Sequence, residues 1–557
     1  MKATLKVLAC MLLTLCCASS ATAATSVSGL IVNQTWTKAN SPYLVIGNIL
    51  VSRLTIQPGV HVQFQSNYVF EVAGRLTAVG LPNDMVIFSR GTNSTTAWPG
   101  IYFNESLPGS ELTFCAIGGA NASGVRSLNT APVLRDCVIS NNIGGGISLS
   151  AGINMVVLSR CLFRNNTNGG SGGGGGVYVS APVAFFDSCI FMGNRSGNSG
   201  GGILSVGAAT VFTNCTFLGN SAGGNGGGLY MLGRFEMHAC RIEQNSAGSP
   251  GQGIFADKTS ALINCIVVNH TSGSYAIRTQ ADMGLTNCTV AFNAGPALYS
   301  TVSGTWVVNS IFWGNGNPQI QANPGFISVA YSDVQGGWFG QGNFSFNPIF
   351  YSPSNFALVD GSPCIDAGSP DPSFNDLCFP PSAGTNRNDM GAYGGPGACA
   401  WPIAPRITTQ PRSQVNCVGR SVTFSASAIG EPPLTYQWQF NGGDLAGATN
   451  ASYTISNLQS NHAGLYSVRV SNMFGIATSE PASLTVNPVC VAIDLYAGLT
   501  IGGLVGQTYR VEYVTQLAAT NQWAFLTNVF QGMPEVLWVD PQPATLERRI
   551  YRVLPPP

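Results

Sequence analysis

Eight cysteines recur at nearly even steps through the middle of this chain: Cys115, Cys137, Cys161, Cys189, Cys215, Cys240, Cys265 and Cys288. The steps are 22, 24, 28, 26, 25, 25 and 23 residues, and Ser310 in "VVNSIFWGN" continues the series 22 further on. A second series keeps pace with the first: Ile147, Val177, Ile203, Leu229, Ile254, Ile277, Leu298 and Ile320, most of them following glycine. Self-similarity at this period is the signature of a solenoid, in which each unit buries its apolar side only against the next copy.

The residue types decide which solenoid. Units such as "VFTNCTFLGN" and "ALINCIVVNH" alternate apolar and polar residues over short runs separated by turn residues, and none holds a ten-residue helical pattern. The expected fold class is therefore all-β, with each unit forming one coil of a parallel β-helix and equivalent residues stacked about 4.8 Å apart. In that stack each ladder cysteine and the residue two places on (Phe163, Phe191, Phe217, Phe312) point inward together. The asparagine at the fifth position (Asn142, Asn166, Asn194, Asn220, Asn245, Asn293, Asn315) is expected to turn the chain with positive φ while its amide bonds along the stack. In-register side chains run parallel, which is poor geometry for a disulfide, so the ladder cysteines are read as buried thiols.

The unit Cys-x-Phe-x-x-Asn followed by Gly-Gly-[Ile/Val/Leu] resembles the repeats of right-handed parallel β-helix proteins of the pectin-lyase-like superfamily. It is also similar to the FxxN and GGA[ILV] repeats of chlamydial polymorphic membrane proteins. The resemblance spans about residues 30 to 335; "NPIFYSPSNFALVDGSPCIDAGSP" and "DMGAYGG" further resemble the closing segment of secreted β-helix proteins with a choice-of-anchor Q region. After "CAWPIAP", a stretch with Trp438 and Tyr466 in "AGLYSV" resembles an immunoglobulin-like sandwich, Trp438 in its core and Tyr466 as its tyrosine corner. Ala426 and Val468 stand where such a domain usually carries its cysteine pair, and Cys417 with Cys490 is a possible terminal disulfide instead. The last stretch resembles a small β-domain found at the ends of large secreted proteins of verrucomicrobia and planctomycetes, which implies a bacterial source. The domain reading is 1–23 signal peptide, 24–335 right-handed parallel β-helix, 336–400 closing segment, 405–488 immunoglobulin-like domain and 490–557 small C-terminal β-domain.

The start, "MKATLKVLACMLLTLCCASSATA", has Lys2 and Lys6, an apolar run and a small-x-small site ending at Ala23, the pattern of a cleaved secretory signal. The expected location is secreted or at a bacterial cell surface. Lys and Arg number 24 against 24 Asp and Glu, with no basic stripe, so nucleic acid is not an expected partner. No apolar run after residue 23 is long enough to span a membrane as a helix.

Chemistry is sparse. Between residues 115 and 335 the acids are Asp136, Asp187, Glu236, Glu243, Asp257, Asp282 and Asp333, and no two neighbouring coils place a pair side by side as a glycosidase requires. No cofactor or metal site is expected: the cysteines lack paired zinc spacing, and His238 reads as an exposed strand residue. Asp366 and Asp389 read as backbone-capping residues. One column stands out, the residue after each apolar marker: Ser148, Tyr178, Leu204, Tyr230, Phe255, Arg278, Tyr299 and Gln321. Tyr178, Tyr230, Phe255 and Tyr299, beside loops carrying Asn168, Asn198 and Asn225, are candidate contacts for sugar rings and hydroxyls, with packing under the loops as the competing reading. The resulting expectation is an exported binding or adhesion protein contacting polysaccharide, the alternative being a polysaccharide lyase or glycoside hydrolase acting from the long loops.

Overall fold

The computed structural model describes residues 24–555 except 93, 151, 153, 154, 171, 208, 324, 353, 354, 402–404, 431, 432, 473, 474, 489–497, 516–521 and 541–548. Residues 1–23, read from the sequence as an expected signal peptide, and Cys490 lie outside the described residues. The chain divides into two compact units, the main chain parting at Arg406.

The first unit is a parallel β-helix. One coil consists of three strands, Leu229–Met231, Phe235–His238 and Arg241–Glu243. Each pairs in parallel with its counterparts in the coils before and after, so Ile203, Leu229 and Ile254 stand in one line, Phe212, Met237 and Leu262 in another, and Phe217, Ile242 and Val267 in the third. The stacks these strands build are called here the first, second and third sheets. Corners come from single residues in the left-handed region, Ala239 (φ 49°) and Gln244 (φ 55°) in this coil, at positions that other coils fill with Asn214 and Asn264, and with Asn165 and Gly219.

This corrects the expected role of the fifth-position asparagine. The bend falls on the residue before it, and the asparagine itself is a buried rung. Asn194 Nδ2 donates to Asn220 Oδ1 (3.0 Å) and to the Phe163 carbonyl (2.9 Å), while the Asn194 backbone N–H donates to the same Asn220 oxygen (3.0 Å). The pattern repeats from Asn142 through Asn166 and from Asn220 to Asn245. His270 takes the rung between Asn245 and Asn293; its Nδ1 meets the Val268 carbonyl (2.9 Å), its Nε2 is buried without a partner, and burial pushes its pKa down to about 4.

Inside, the eight ladder cysteines are buried free thiols. Cys215 Sγ donates to the Thr213 carbonyl two residues back (3.4 Å) and to Phe186 O (3.4 Å). Ser310 and then Ser332 continue the column, each hydroxyl bonded to its own carbonyl two residues back (2.9 Å). Beside it Phe163, Phe191 and Phe217 stack at centroid spacings of 5.0 and 4.5 Å. All eight sulfurs are sealed from solvent, and burial pushes the Cys215 thiol well above its ordinary range; a reagent reaches such a thiol only when the fold opens. Iodoacetamide treatment of the folded protein is therefore expected to leave the ladder unlabelled, with label appearing only at the rate of unfolding, as peptide mass spectrometry would show.

The closing segment lies along the solenoid. Trp338 packs on the end of the core, and the chain then lies over the outward face of the third sheet. Phe356, Ala392 and Trp401 cover Ala239, Ile266, Val268 and Ala291, and Cys364 and Met390 cover Ile311. Corner asparagines hold this strap: Asn264 Nδ2 donates to Ala392 O (2.9 Å), Asn287 Nδ2 to Asp389 O (2.9 Å), and Asn309 Oδ1 accepts from Ser369 N (2.7 Å). Cys378 and Cys399 form a disulfide within it, and Cys364 is a buried free thiol.

Asp333, fully buried under the strap, accepts from Phe346 N (3.2 Å) and from the Cys364 thiol (3.4 Å), and desolvation pushes it up to about 7. The folded chain thus holds a proton that the unfolded chain releases near pH 4. The associated stability is complete below that pH and is lost as pH rises through about 7. Asp376 and Asp389, pushed up to about 7 and about 6 by desolvation, act in the same direction. Asp333→Asn is expected to flatten the fall in melting temperature between pH 5 and 8 and to melt above wild type at pH 8; parallel curves would contradict this account.

In the second unit, residues 407–488 form an immunoglobulin-like sandwich. Trp438 is fully buried, its Nε1 bonded to Asn450 O (2.9 Å), and Phe424 stacks on Tyr466 at 4.7 Å. The Tyr466 hydroxyl donates to His462 O (2.9 Å), the corner expected of this fold. Ala426 and Val468 are both buried, so packing occupies the place of the usual bridge, and Cys417 is buried as well. Further on, Thr508–Val514 pairs with Ala524–Phe530 on one side and Ile550–Leu554 on the other, around a small core of Ile501, Val511 and Val529.

Candidate functional site

Alternation along the first-sheet strands sets the column. Val177, Val179, Leu229 and Met231 are fully buried, so Tyr178 and Tyr230 between them face outward, and the register places Ser148, Tyr178, Leu204, Tyr230, Phe255, Arg278, Tyr299 and Gln321 in one line. The line extends further toward the N-terminus, through Arg126 and Tyr102 to Glu71. There the Arg126 guanidinium lies 4.2 Å over the Tyr102 ring, whose hydroxyl donates to Asn104 Oδ1 (3.0 Å), and Asn104 Nδ2 donates to Glu71 (2.8 Å).

The candidate rings differ in how much face they offer. Tyr178, Tyr230 and Tyr299 are half-buried, and Leu204 between the first two is 9% exposed. Phe255 is only 4% exposed: Tyr230 packs on one side at 5.0 Å and the Arg278 guanidinium sits 5.5 Å away on the other. Its expected open face is therefore absent, because neighbours one rung away are long enough to cover it. Tyr299 stacks on Tyr275 at 4.5 Å, and Tyr275 donates to Gln321 (2.8 Å). Between Tyr178 and Tyr230, two rungs or about 10 Å apart, stands the nearly buried Leu204, and this stretch is called here the saddle.

The loops beside the saddle are ordered. Thr167–Asn168, Arg195–Ser196, Ser221–Ala222 and Ser246–Ala247 pair in parallel as a fourth, narrow ladder. Asn168 spends its amide on its own loop, accepting from Gly170 N (3.0 Å) and donating to Gly172 O (3.2 Å). Asn225 bonds through its backbone N–H to Ser199 Oγ (3.1 Å), and Asn198 is exposed. Asn198 is thus exposed while Asn168 and Asn225 are half-buried, and Asn168 shapes its loop.

Charge at the column comes from Glu71, Arg126 and Arg278, and no pair of carboxylates flanks the saddle among the described residues. Nor do the described residues contain a group of three or more metal-ligating side chains, or a helix long and apolar enough to cross a membrane. Asp366 and Asp389 cap backbone as expected: Asp389 accepts from Asp366 N (2.8 Å) and Ala383 N (2.7 Å), and Asp366 from Thr385 N (2.9 Å) and its hydroxyl (2.7 Å).

Comparison with known proteins agrees on the architecture. A family described as "Right handed beta helix region" matches residues 175–333, and one described as "Immunoglobulin domain" matches residues 404–472. The chain is similar to Endoglucanase C of Cellulomonas fimi, 34% identical over 89 residues, which is 15% of this chain and 8% of that protein. It is also similar to the Neural cell adhesion molecule L1-like protein of Homo sapiens, 29% identical over 130 residues, 21% of this chain and 10% of that one. The chain thus spans no more than 10% of the length of these curated relatives. Among solved structures, tandem Ig repeats of Dlar are 25% identical with a TM-score of 0.15, covering 16% of this chain and 51% of theirs. Titin M4 is 24% identical with a TM-score of 0.14, covering 15% and 98%.

Proposed function

We propose that this chain is an exported bacterial surface or extracellular protein that binds polysaccharide along the first sheet of its β-helix. The observation that carries the reading is the saddle over Leu204, where two tyrosines on a rigid stack hold their rings about 10 Å apart, roughly the span of two sugar residues. A ring held by cross-strand packing, as Tyr230 is against Phe255 at 5.0 Å, loses little entropy on binding. The immunoglobulin-like unit and the partial likeness to a protein named as an endoglucanase and another named as a cell adhesion molecule support a carbohydrate- or surface-related role. A disulfide between Cys417 and Cys490 remains part of the proposal as a closure of the immunoglobulin-like unit.

A glycan array probed with the mature protein is the direct test. Retention on at least one glycan is expected, without release of shorter products, and Tyr178→Ala with Tyr230→Ala is expected to weaken it at least ~30-fold at two stacking contacts of ~1 kcal/mol each. Unchanged retention by a folded double variant would remove the saddle from the account, and steady release of fragments would favour a polysaccharide-cleaving enzyme.

A further inference from the structure

A groove of about 530 Å³ opens over the first coils of the third sheet, on the face that the strap covers further along, and is lined by Ser89, Arg90, Gly118, Ser140, Asn141 and Ile143 among others. Below its edge run the neighbouring parallel strands His61–Phe64 and Val86–Arg90, with Gln63 opposite Ser89. Val62, Phe64 and Phe88 are fully buried, so alternation turns His61, Gln63 and Ser89 outward together. His61 Nε2 stands 2.8 Å from Ser89 Oγ, and His61 Nδ1 stands 3.1 Å from the Gln63 side-chain nitrogen. The His61 backbone N–H donates to Ser41 Oγ (2.9 Å). A hydroxyl within hydrogen-bond reach of an imidazole whose far nitrogen is held by a third group, at the wall of a groove of ligand size, is the arrangement of an activated nucleophile.

We propose that Ser89 and His61 are the nucleophile and base of an acyl-ester hydrolase site in this groove, acting on carboxylic esters of small acyl groups. In the arrangement described, the Gln63 amide donates to Nδ1, the ring proton sits on Nε2 and points at Ser89, and the Ser89 hydroxyl donates to the Arg90 carbonyl (3.1 Å). A half-turn of the Gln63 amide brings its oxygen to Nδ1, moves the ring proton there and frees the Nε2 lone pair. Ser89 Oγ then bonds to the ester carbonyl carbon as its proton passes to Nε2. The tetrahedral oxyanion collapses, the bond to the alcohol oxygen breaks, and Nε2 returns the proton to the leaving alkoxide. Water, deprotonated by the same nitrogen, attacks the acyl-serine, releasing the carboxylic acid and restoring Ser89, so that ester and water become acid and alcohol. Burial lowers the pKa of His61 and keeps the ring neutral at pH 7, as a base requires, and the Arg90 guanidinium places positive charge at the groove.

The full-length protein treated with a fluorophosphonate probe is expected to label at Ser89 and to hydrolyse p-nitrophenyl acetate with saturation. Ser89→Ala abolishes the label and lowers hydrolysis at least ~100-fold, as does His61→Ala, while Gln63→Glu, which fixes the proton on Nδ1, raises the rate ~10-fold. The rate climbs with a midpoint below pH 6.5 and is level by pH 8. Ser89→Cys supplies a second readout, a thiol that alkylates faster than free cysteine and slows in Ser89→Cys with His61→Ala. An unlabelled folded wild type, label at another residue, or hydrolysis retained by Ser89→Ala would each overturn the assignment.

Discussion

Asn220→Leu is expected to lower stability by about 3–5 kcal/mol, although leucine keeps the branched heavy-atom skeleton of asparagine. The loss is one of accounting inside a dry stack. The Asn220 oxygen accepts from both the backbone and the side chain of Asn194, and its nitrogen donates to Phe191 O (2.9 Å) and to Asn245 Oδ1 (3.0 Å). With leucine in place, the Asn194 backbone N–H and the Phe191 carbonyl lose partners that no solvent can replace, at about 1–3 kcal/mol each. The change is a large fraction of the margin of an ordinary domain. Because coils contact only their neighbours, hydrogen exchange should quicken first around residues 190–250 while distant coils stay protected. A uniform loss of protection, or a change below about 1 kcal/mol in urea titrations, would show that the amide stack contributes little.

Gly227→Val is expected to be as damaging for a different reason. A Cβ at Gly227 would lie 2.2 Å from Ser246 O and 2.6 Å from Gln252 O, backbone atoms of the next coil and its loop. Gly201 is hemmed in the same way, 2.3 Å from Gly227 O and 2.5 Å from Ser221 O, so the glycine column sets the distance at which coils can stack. Forcing it apart is expected to cost about 3 kcal/mol or more and to expose the loop at 246–252 to proteases. Gly219 offers the contrast, with φ +63° and open space around its Cβ position. There alanine meets only the left-handed backbone penalty, about 1–2 kcal/mol. If both substitutions cost the same, close approach is not the reason for the triplet.

What the sequence revealed followed from inward periodicity. Cysteine and phenylalanine columns were legible because equivalent inward positions must match from coil to coil, and Ser310 fitted because a hydroxyl bonds the same carbonyl as the thiol does. The asparagine column is legible, but the bend beside it is not: the left-handed corner before each rung is filled by asparagine, glycine, glutamine or phenylalanine and so carries no fixed letter. The strap leaves a sign in the sequence. At "CIVV", residues 265–268, the outward positions Ile266 and Val268 are apolar like their inward neighbours, which means both faces are covered. The Ser89 and His61 pair lies 28 residues apart, one coil, but ahead of the cysteine series that gave the register. The shielding of Phe255 depends on where Arg278 swings its long side chain, and residue order does not specify that. Likewise, three cysteines in the closing segment allow several pairings, and only their placement selects Cys378 with Cys399.

The column of unpaired sulfurs has a consequence for how such a chain must be made. Until its coils zip together, the same eight thiols sit on a loose polymer, each within a couple of dozen residues of another, a short enough loop for accidental bridging in any oxidising surroundings. One wrong crosslink would hold a rung open. Assembly is thus a race between stacking and oxidation, which the short span between successive rungs favours and which helper proteins or a reducing start would make safer.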